Sequence, residues 1–224
     1  IKNEDIDQLD LSNWNIAFNG AEKIKSSTLR EFSSKFSKFG FNYKAFLPCY
    51  GLAETTLIVS GVKREESIVI EDFGKDNLSY ESDNDDVQIQ EHVSCGRILE
   101  GYDFKIINSY NEEAPSNKVG ELCLKGDSVS IGYWNSYFNN YTEDGYLKTG
   151  DLVLLKDGQL YITGRKKDII IINGKNYYPN DFENYIQENW KDCSANGTSI
   201  FGVNNSLVEG LVAVIEYPVI SEYD

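Results

Sequence analysis

Apolar residues fall into two kinds of pattern along this chain. Ile24, Leu29, Phe32, Phe36 and Phe39 recur at steps of three to five residues. That is the spacing of an amphipathic helix, and Gly40 supplies its stop. Elsewhere the apolar residues come in short runs bounded by Gly, Asn or Asp. Residues 14–18 read as a buried strand ending at Asn19-Gly20, and residues 46–50 as another leading into Gly51-Leu52-Ala53-Glu54-Thr55. Further strands are expected at 104–107, 121–125, 152–155, 160–163 and 169–172. Asp157-Gly158 is a strong hairpin turn, and Asn173-Gly174 is expected to turn the chain after the last of these strands. Pro179 suits the first turn of a helix, where its missing N–H is not needed. Phe182, Tyr185, Ile186 and Trp190 are expected to be that helix's buried stripe. Residues 199–203 and 211–217 then complete a small αβ unit. In α/β sheets of this kind ligands bind outside the carboxyl ends of strands, where the loop after residue 50 would lie.

Composition changes this picture at a few points. Residues 64–91 are rich in Asp, Glu, Ser and Asn with isolated apolar pairs such as Ile68-Val69. They read as an inserted surface segment with some strand character, or as a solvated loop. At 224 residues the chain can form one large domain or two smaller ones. The net charge of -15 argues against a general phosphate-neutralising surface for nucleic acid, but not against a nucleotide, which needs only a few donors and a metal ion. No apolar run approaches the roughly 20 residues that span a bilayer, and the start of the chain lacks the basic and apolar character of a secretion signal. No Met occurs, so an internal piece or a processed product is expected. Cys49, Cys95, Cys123 and Cys193 lie far apart, which fits a reducing cytoplasm rather than a disulfide or zinc framework. His92 and Cys95 read as two unrelated side chains.

The candidate chemistry sits in runs that follow one another in order: Tyr50-Gly51-Leu52-Ala53-Glu54-Thr55-Thr56, Lys148-Thr149-Gly150-Asp151, Gly164-Arg165-Lys166-Lys167-Asp168 and Asn173-Gly174-Lys175-Asn176. Glu54 is a hard oxygen ligand suited to Mg²⁺ held between a carboxylate and phosphates. Thr55 offers a hydroxyl to an α-phosphate oxygen, and Tyr50 an aromatic face to adenine. Gly51 lets the backbone turn sharply and approach a ligand. The small residues of Asn19-Gly20-Ala21-Glu22 would let backbone groups meet the edge of adenine. Asp151 can accept hydrogen bonds from vicinal ribose hydroxyls, and Arg165 can reach the sugar or a phosphate with its fixed fork of donors. Each run alone is also an ordinary turn, a Thr-capped strand-to-helix junction or a solvated basic linker. Their joint occurrence in this order makes coincidence the weaker reading.

Together with Gly120-Glu121-Leu122, Gly126 and Gly132-Tyr133-Trp134, these runs resemble successive motifs of the acyl-adenylate-forming superfamily, which includes acyl-CoA synthetases, peptide-synthetase adenylation domains and luciferases. Phe18-Asn19-Gly20-Ala21-Glu22, Cys49-Tyr50 with Val59-Ser60-Gly61, Val93-Ser94-Cys95-Gly96 and Asn176-Tyr177-Tyr178-Pro179 resemble the fatty acyl-AMP ligase branch, as does the extra length between Thr55 and Gly96. The resemblance implies an α/β fold: residues 1–166 as part of the large N-terminal domain of the adenylate-forming fold, with an insertion at about 64–93. Residues 167–224 would be the hinge and the start of a small α+β C-terminal domain. It implies ATP-dependent, Mg²⁺-assisted activation of a fatty acid to acyl-AMP with release of pyrophosphate. The acyl group would then pass to the thiol of an acyl carrier protein or a polyketide synthase carrier domain.

By the same resemblance Glu54 and Thr55 are catalytic, with Glu54 on Mg²⁺. Gly20, Ala21, Glu22, Tyr50, Gly51, Leu52, Ala53, Asp151 and Arg165 bind the nucleotide, and Lys167 is the hinge residue. Two departures stand out. The phosphate loop expected before residue 1 and the lysine expected after residue 224 are absent, so this chain is expected to be weakly active at most when alone. A long-chain acyl-CoA synthetase and a non-catalytic nucleotide-binding or interaction module remain as alternatives.

Overall fold

The computed structural model describes residues 9–78, 80, 89–135, 140–172, 175–190, 192–194, 197–205 and 208–217. The expected turn at Asn173-Gly174 lies outside them, as do residues 1–8 and 81–88. In chain order the elements are β1 (Ala17–Asn19), α1 (Ser26–Phe36), β2 (Phe46–Gly51), β3 (Ile58–Gly61), β4 (Ile70–Phe73), α2 (Lys75–Leu78), β5 (Gln90–Val93), β6 (Arg97–Ile98) and β7 (Tyr102–Ile107). They continue with β8 (Gly120–Gly126), β9 (Leu147–Lys156), β10 (Gln159–Arg165), β11 (Ile170–Ile172), β12 (Lys175–Tyr177), α3 (Pro179–Asn189), β13 (Thr198–Asn205) and β14 (Val208–Ile215). No described helix is long and apolar enough to cross a membrane.

The first sheet runs β1-β2-β3-β6, with β1 parallel to β2 and the other pairs antiparallel. Helix α1 covers it through Leu29 and Phe36, and a 3-10 turn continues to Phe39 before Gly40 ends it at φ 87. Phe32, Phe41 and Phe46 lock this layer with ring centroids 4.9 to 5.7 Å apart, each pair edge-on. The strand expected over 14–18 is shorter and shifted, and it is only partly buried: Ala17 joins the core under α1, while Trp14, Ile16 and Phe18 are exposed. Among the described residues β1 is an edge strand paired only with β2, so its outer side chains have little to pack against.

The second sheet is the antiparallel order β10-β9-β8-β7. Asp157 and Gly158 both have positive φ (52° and 75°), the mirror-image turn that suits the twist of the β9–β10 hairpin. Leu122, Leu124, Val153 and Leu160 are fully buried and meet Tyr50 and Val59 from the first sheet. Burying each such aliphatic side chain contributes about 2 kcal/mol. Part of the polar 64–91 segment turns out to be built into this core rather than being a solvated loop. Its β4 pairs with β5, and the Phe73 ring stands edge-on to Tyr161 at 4.9 Å. Leu78 and Tyr80 are buried as well. Isolated apolar residues in a polar stretch carry no period, which is why the pattern did not show it.

The C-terminal elements form a thinner unit. Pro179 opens α3, and β13 pairs with β14 over Thr198↔Ile215 to Asn205↔Val208. Ile170 and Ile200 are its buried apolar residues among those described. The expected buried stripe on α3 is only half realised. Phe182 and Ile186 are half-buried, but Tyr185 and Trp190 are exposed because α3 rests on β13 along one side only. Lys23 lies 3.7 Å from Asp181, and Lys25 donates to Gln187 at 3.3 Å, tying α3 to the loop before α1.

Candidate functional site

The carboxyl ends of β1 and β2, the end of the β9–β10 hairpin, and residues of β11, α3 and β13 together line one cleft of about 920 Å³. Asp151, buried on β9, is part of its wall. Tyr50, 101 positions earlier, donates its hydroxyl to Asp151 Oδ2 at 2.7 Å. Arg165 donates Nε to Oδ1 at 3.0 Å. A bulge between Ile162 and Gly164 shifts the β10 register so that Arg165 stands opposite Asp151. Burial raises the Asp151 pKa above the usual carboxylate value, and the Glu54 charge adds to this. The Tyr50 hydroxyl and the Arg165 guanidinium oppose it without cancelling it. Burial also raises Tyr50, which the Asp151 charge reinforces, so this phenol remains a proton donor.

A second ion pair, one position further along, escaped the sequence reading. Glu121 is buried in β8, where Oε1 accepts from the Gly150 N–H at 3.2 Å and Oε2 from Lys166 Nζ at 3.0 Å. Lys166 also lies 5.9 Å from the Tyr80 ring centroid. Burial works against the charge on Lys166, yet the Glu121 hydrogen bond and charge outweigh it and the pKa is raised. A single acid between Val119 and the apolar run Leu122-Cys123-Leu124 was the available signal. Consecutive cations thus anchor the end of β10 to separate buried acids, while Lys167, next in sequence, is exposed.

Of the residues singled out by sequence, the cleft wall holds Ala21, Glu22, Tyr50, Gly51, Asp151, Arg165 and Lys167. Gly20, Leu52, Ala53, Glu54 and Thr55 are not on it. Gly20 lies against β2, with Cys49 O 3.0 Å from where a Cβ would stand. Ala21 has φ 70, a left-handed conformation unusual for a residue with a side chain. Gly51 is required for a different reason than a sharp turn. A Cβ there would sit 1.7 Å from the Leu57 carbonyl oxygen, so the constraint is close backbone approach. Tyr50 lines the cleft but is largely buried. Thr55 is buried, and its hydroxyl donates to the Leu52 carbonyl at 2.9 Å, capping its own 3-10 turn. It does not present that hydroxyl to the cleft.

Glu54 is half-buried on the 3-10 turn Ala53–Thr55 and forms no ion pair among the described residues. The Tyr133 hydroxyl donates to its Oε1. Among the described residues no three His, Cys, Asp or Glu side chains gather as a metal site. The donor set therefore fits Mg²⁺ only in the mode where one carboxylate supplies a ligand and phosphates and water supply the others. Cys95 lines the cleft, but burial pushes its thiol up to about 12, so it is no nucleophile at neutral pH. His92 is buried beside Phe73 with Nδ1 3.1 Å from the Gln90 carbonyl oxygen.

Residues 1–134 match the AMP-binding enzyme family, and the chain belongs to it. The fold is, in part, the mixed α/β fold of the N-terminal domain of adenylate-forming enzymes. Among curated relatives, the chain is 36% identical over 225 residues to the medium-chain-fatty-acid–[acyl-carrier-protein] ligase JamA of Moorena producens, covering 93% of this chain and 38% of that protein. It is 34% identical to the long-chain-fatty-acid–AMP ligase FadD32 of Mycolicibacterium smegmatis, over 87% of this chain and 35% of that one. A solved structure from work on fatty acyl-adenylate ligases of E. coli and L. pneumophila superposes with a TM-score of 0.84 at 31% identity, covering 99% of this chain and 40% of the other. An L. pneumophila fatty acyl-adenylate ligase in complex with acyl adenylate and pyrophosphate gives a TM-score of 0.68 at 33% identity, over 97% and 40%. The chain thus spans well under half the length of these proteins.

Proposed function

We propose that this chain is the nucleotide-holding part of an enzyme that activates a fatty acid with ATP, forming acyl-AMP and pyrophosphate. The observation that carries the reading is the Tyr50–Asp151–Arg165 cluster at the strand ends. A carboxylate has about four lone-pair sites. Asp151 therefore retains capacity for the vicinal ribose hydroxyls after bonding Tyr50 and Arg165. Ala21 and Glu22 face the same cleft from the loop assigned to adenine. Bound Mg²⁺ would supply charge neutralisation between phosphate oxygens, with Glu54 as its protein ligand. Joining an anionic carboxylate to an α-phosphate demands positioning and charge neutralisation above all.

Residues 1–166 would form part of the large domain and 167–224 the hinge and the start of the small one, with Lys167 as the pivot. Its exposure, next to the anchored Arg165 and Lys166, suits a position whose backbone dihedrals absorb a rotation. The acceptor in this reading is the thiol of a carrier protein, in line with the carrier-protein ligase name of JamA, and the setting is the cytoplasm. A test is fatty-acid-dependent exchange of labelled pyrophosphate into ATP by the intact protein that contains this chain. Exchange should fall at least about 100-fold in Asp151→Ala, as loss of a buried site charge implies. Unchanged exchange in that variant would remove Asp151 from the site. Adding CoA or carrier protein and identifying the thioester then separates this reading from a long-chain acyl-CoA synthetase.

A further inference from the structure

Glu54 stands on a turn that the rest of the chain holds from several directions. Its backbone carbonyl accepts from the Ser130 N–H at 2.7 Å. Tyr102 donates its hydroxyl toward the Thr55 carbonyl at 3.2 Å and the Ile58 carbonyl at 3.0 Å, and Ser128 donates to that same hydroxyl at 2.8 Å. Thr56 closes the turn at φ 72 and ψ -58, a conformation that costs a β-branched residue energy and persists only when its surroundings enforce it. The Thr56 hydroxyl reaches the Ser128 carbonyl at 3.4 Å. The 128–133 segment therefore grips the turn's backbone and, through the Tyr133 hydroxyl, the Glu54 carboxylate itself.

We infer that Tyr133 is a positioning residue for Glu54. Its hydroxyl occupies Oε1 and so presents Oε2 to a divalent cation in one orientation. A half-buried carboxylate with no ion pair among the described residues could otherwise rotate freely and lose part of its hold on the ion. Outer-shell donors of this kind orient the ligand and commonly carry tenfold or more in metal affinity. The inference rests on the reading of Glu54 as the metal ligand and names what orients it.

The test is Mn²⁺ binding followed by electron paramagnetic resonance, in the intact protein saturated with a non-hydrolysable ATP analogue. Metal-free affinity for the same analogue is measured alongside. Tyr133→Phe removes only a hydroxyl from a side chain that is 59% exposed, so the fold is not at stake. The expected result is about tenfold weaker Mn²⁺ binding in Tyr133→Phe with metal-free nucleotide affinity unchanged. A larger loss is expected in Glu54→Gln. If Glu54→Gln weakens Mn²⁺ and Tyr133→Phe does not, the positioning role is overturned while Glu54 keeps its own. Equal loss of Mn²⁺ and metal-free nucleotide affinity in Tyr133→Phe would reduce Tyr133 to a structural part of the loop and overturn the proposal. If Glu54→Gln changes nothing, or the unsubstituted protein shows no nucleotide-dependent Mn²⁺ binding, the assignment of Glu54 fails and this inference with it.

Discussion

The four-stranded β7–β10 sheet and the C-terminal unit that follows it are built to different standards. The sheet carries Leu122, Leu124, Leu152, Val153, Leu154 and Leu160 with no measurable exposure, and it holds the buried acids Asp151 and Glu121 in ion pairs with more exposed cations. The C-terminal unit buries Ile170, Ile200 and little else among its described residues, and leaves Tyr185, Trp190, Phe201 and Val214 exposed. The lesson is a division of labour. A close-packed platform holds its side chains in place, whereas a unit with few buried contacts opens locally at lower cost.

The sharpest way to break this comparison is to cut a methyl cluster from each side. Leu152→Ala should destabilise the protein by about 3 kcal/mol in urea denaturation, because the platform has no room to collapse around the gap. Ile186→Ala on half-buried α3 should cost about 1 kcal/mol or less. Similar losses at both sites would mean that the two regions are packed alike.

A comparable effect comes from pH. Burial holds His92 down at about 4, against an ordinary value near 6.5, and the neighbouring Lys23 charge adds to the shift. The unfolded chain therefore binds a proton that the folded one refuses between those values. Stability should fall as pH drops through that window, by up to about 3 kcal/mol. Thermal unfolding between pH 6.5 and 4.5 checks this, and His92→Leu should flatten the profile there. A wild-type profile already flat over that range would show that His92 is not held neutral.

Smaller effects follow. Tyr50→Phe removes one donor from the buried Asp151 and should cost about 1 to 2 kcal/mol by urea denaturation. Asp181→Asn, which breaks the contact between α3 and Lys23, should cost less than about 1 kcal/mol. If the Asp181 substitution proved the costlier of the two, the C-terminal unit would be held as firmly as the platform.

What was legible in the sequence follows the same division. The Asp157-Gly158 hairpin, the Gly40 stop and Pro179 at the start of α3 were readable because each depends on a local backbone requirement. So were the fully apolar strands of the platform. The edge position of β1 was not, since an apolar run does not reveal how many neighbours a strand will have. Asp151 and Arg165 were readable as candidates from their short motifs. Their partnership with Tyr50 is set by tertiary structure across 101 residues, and Glu121 with Lys166 across 45. The direction of the Thr55 hydroxyl was not readable, because residue type gives the donor but not where it points; in the folded turn it donates to Leu52.

The most direct test is a crystal structure of the protein with a hydrolysis-resistant acyl-adenylate analogue. The ribose hydroxyls should bond Asp151, with Arg165 beside the sugar and the Tyr50–Asp151 hydrogen bond kept at its present 2.7 Å. A sugar bound elsewhere, or a Tyr50–Asp151–Arg165 cluster that has come apart to admit it, would contradict a preformed nucleotide site.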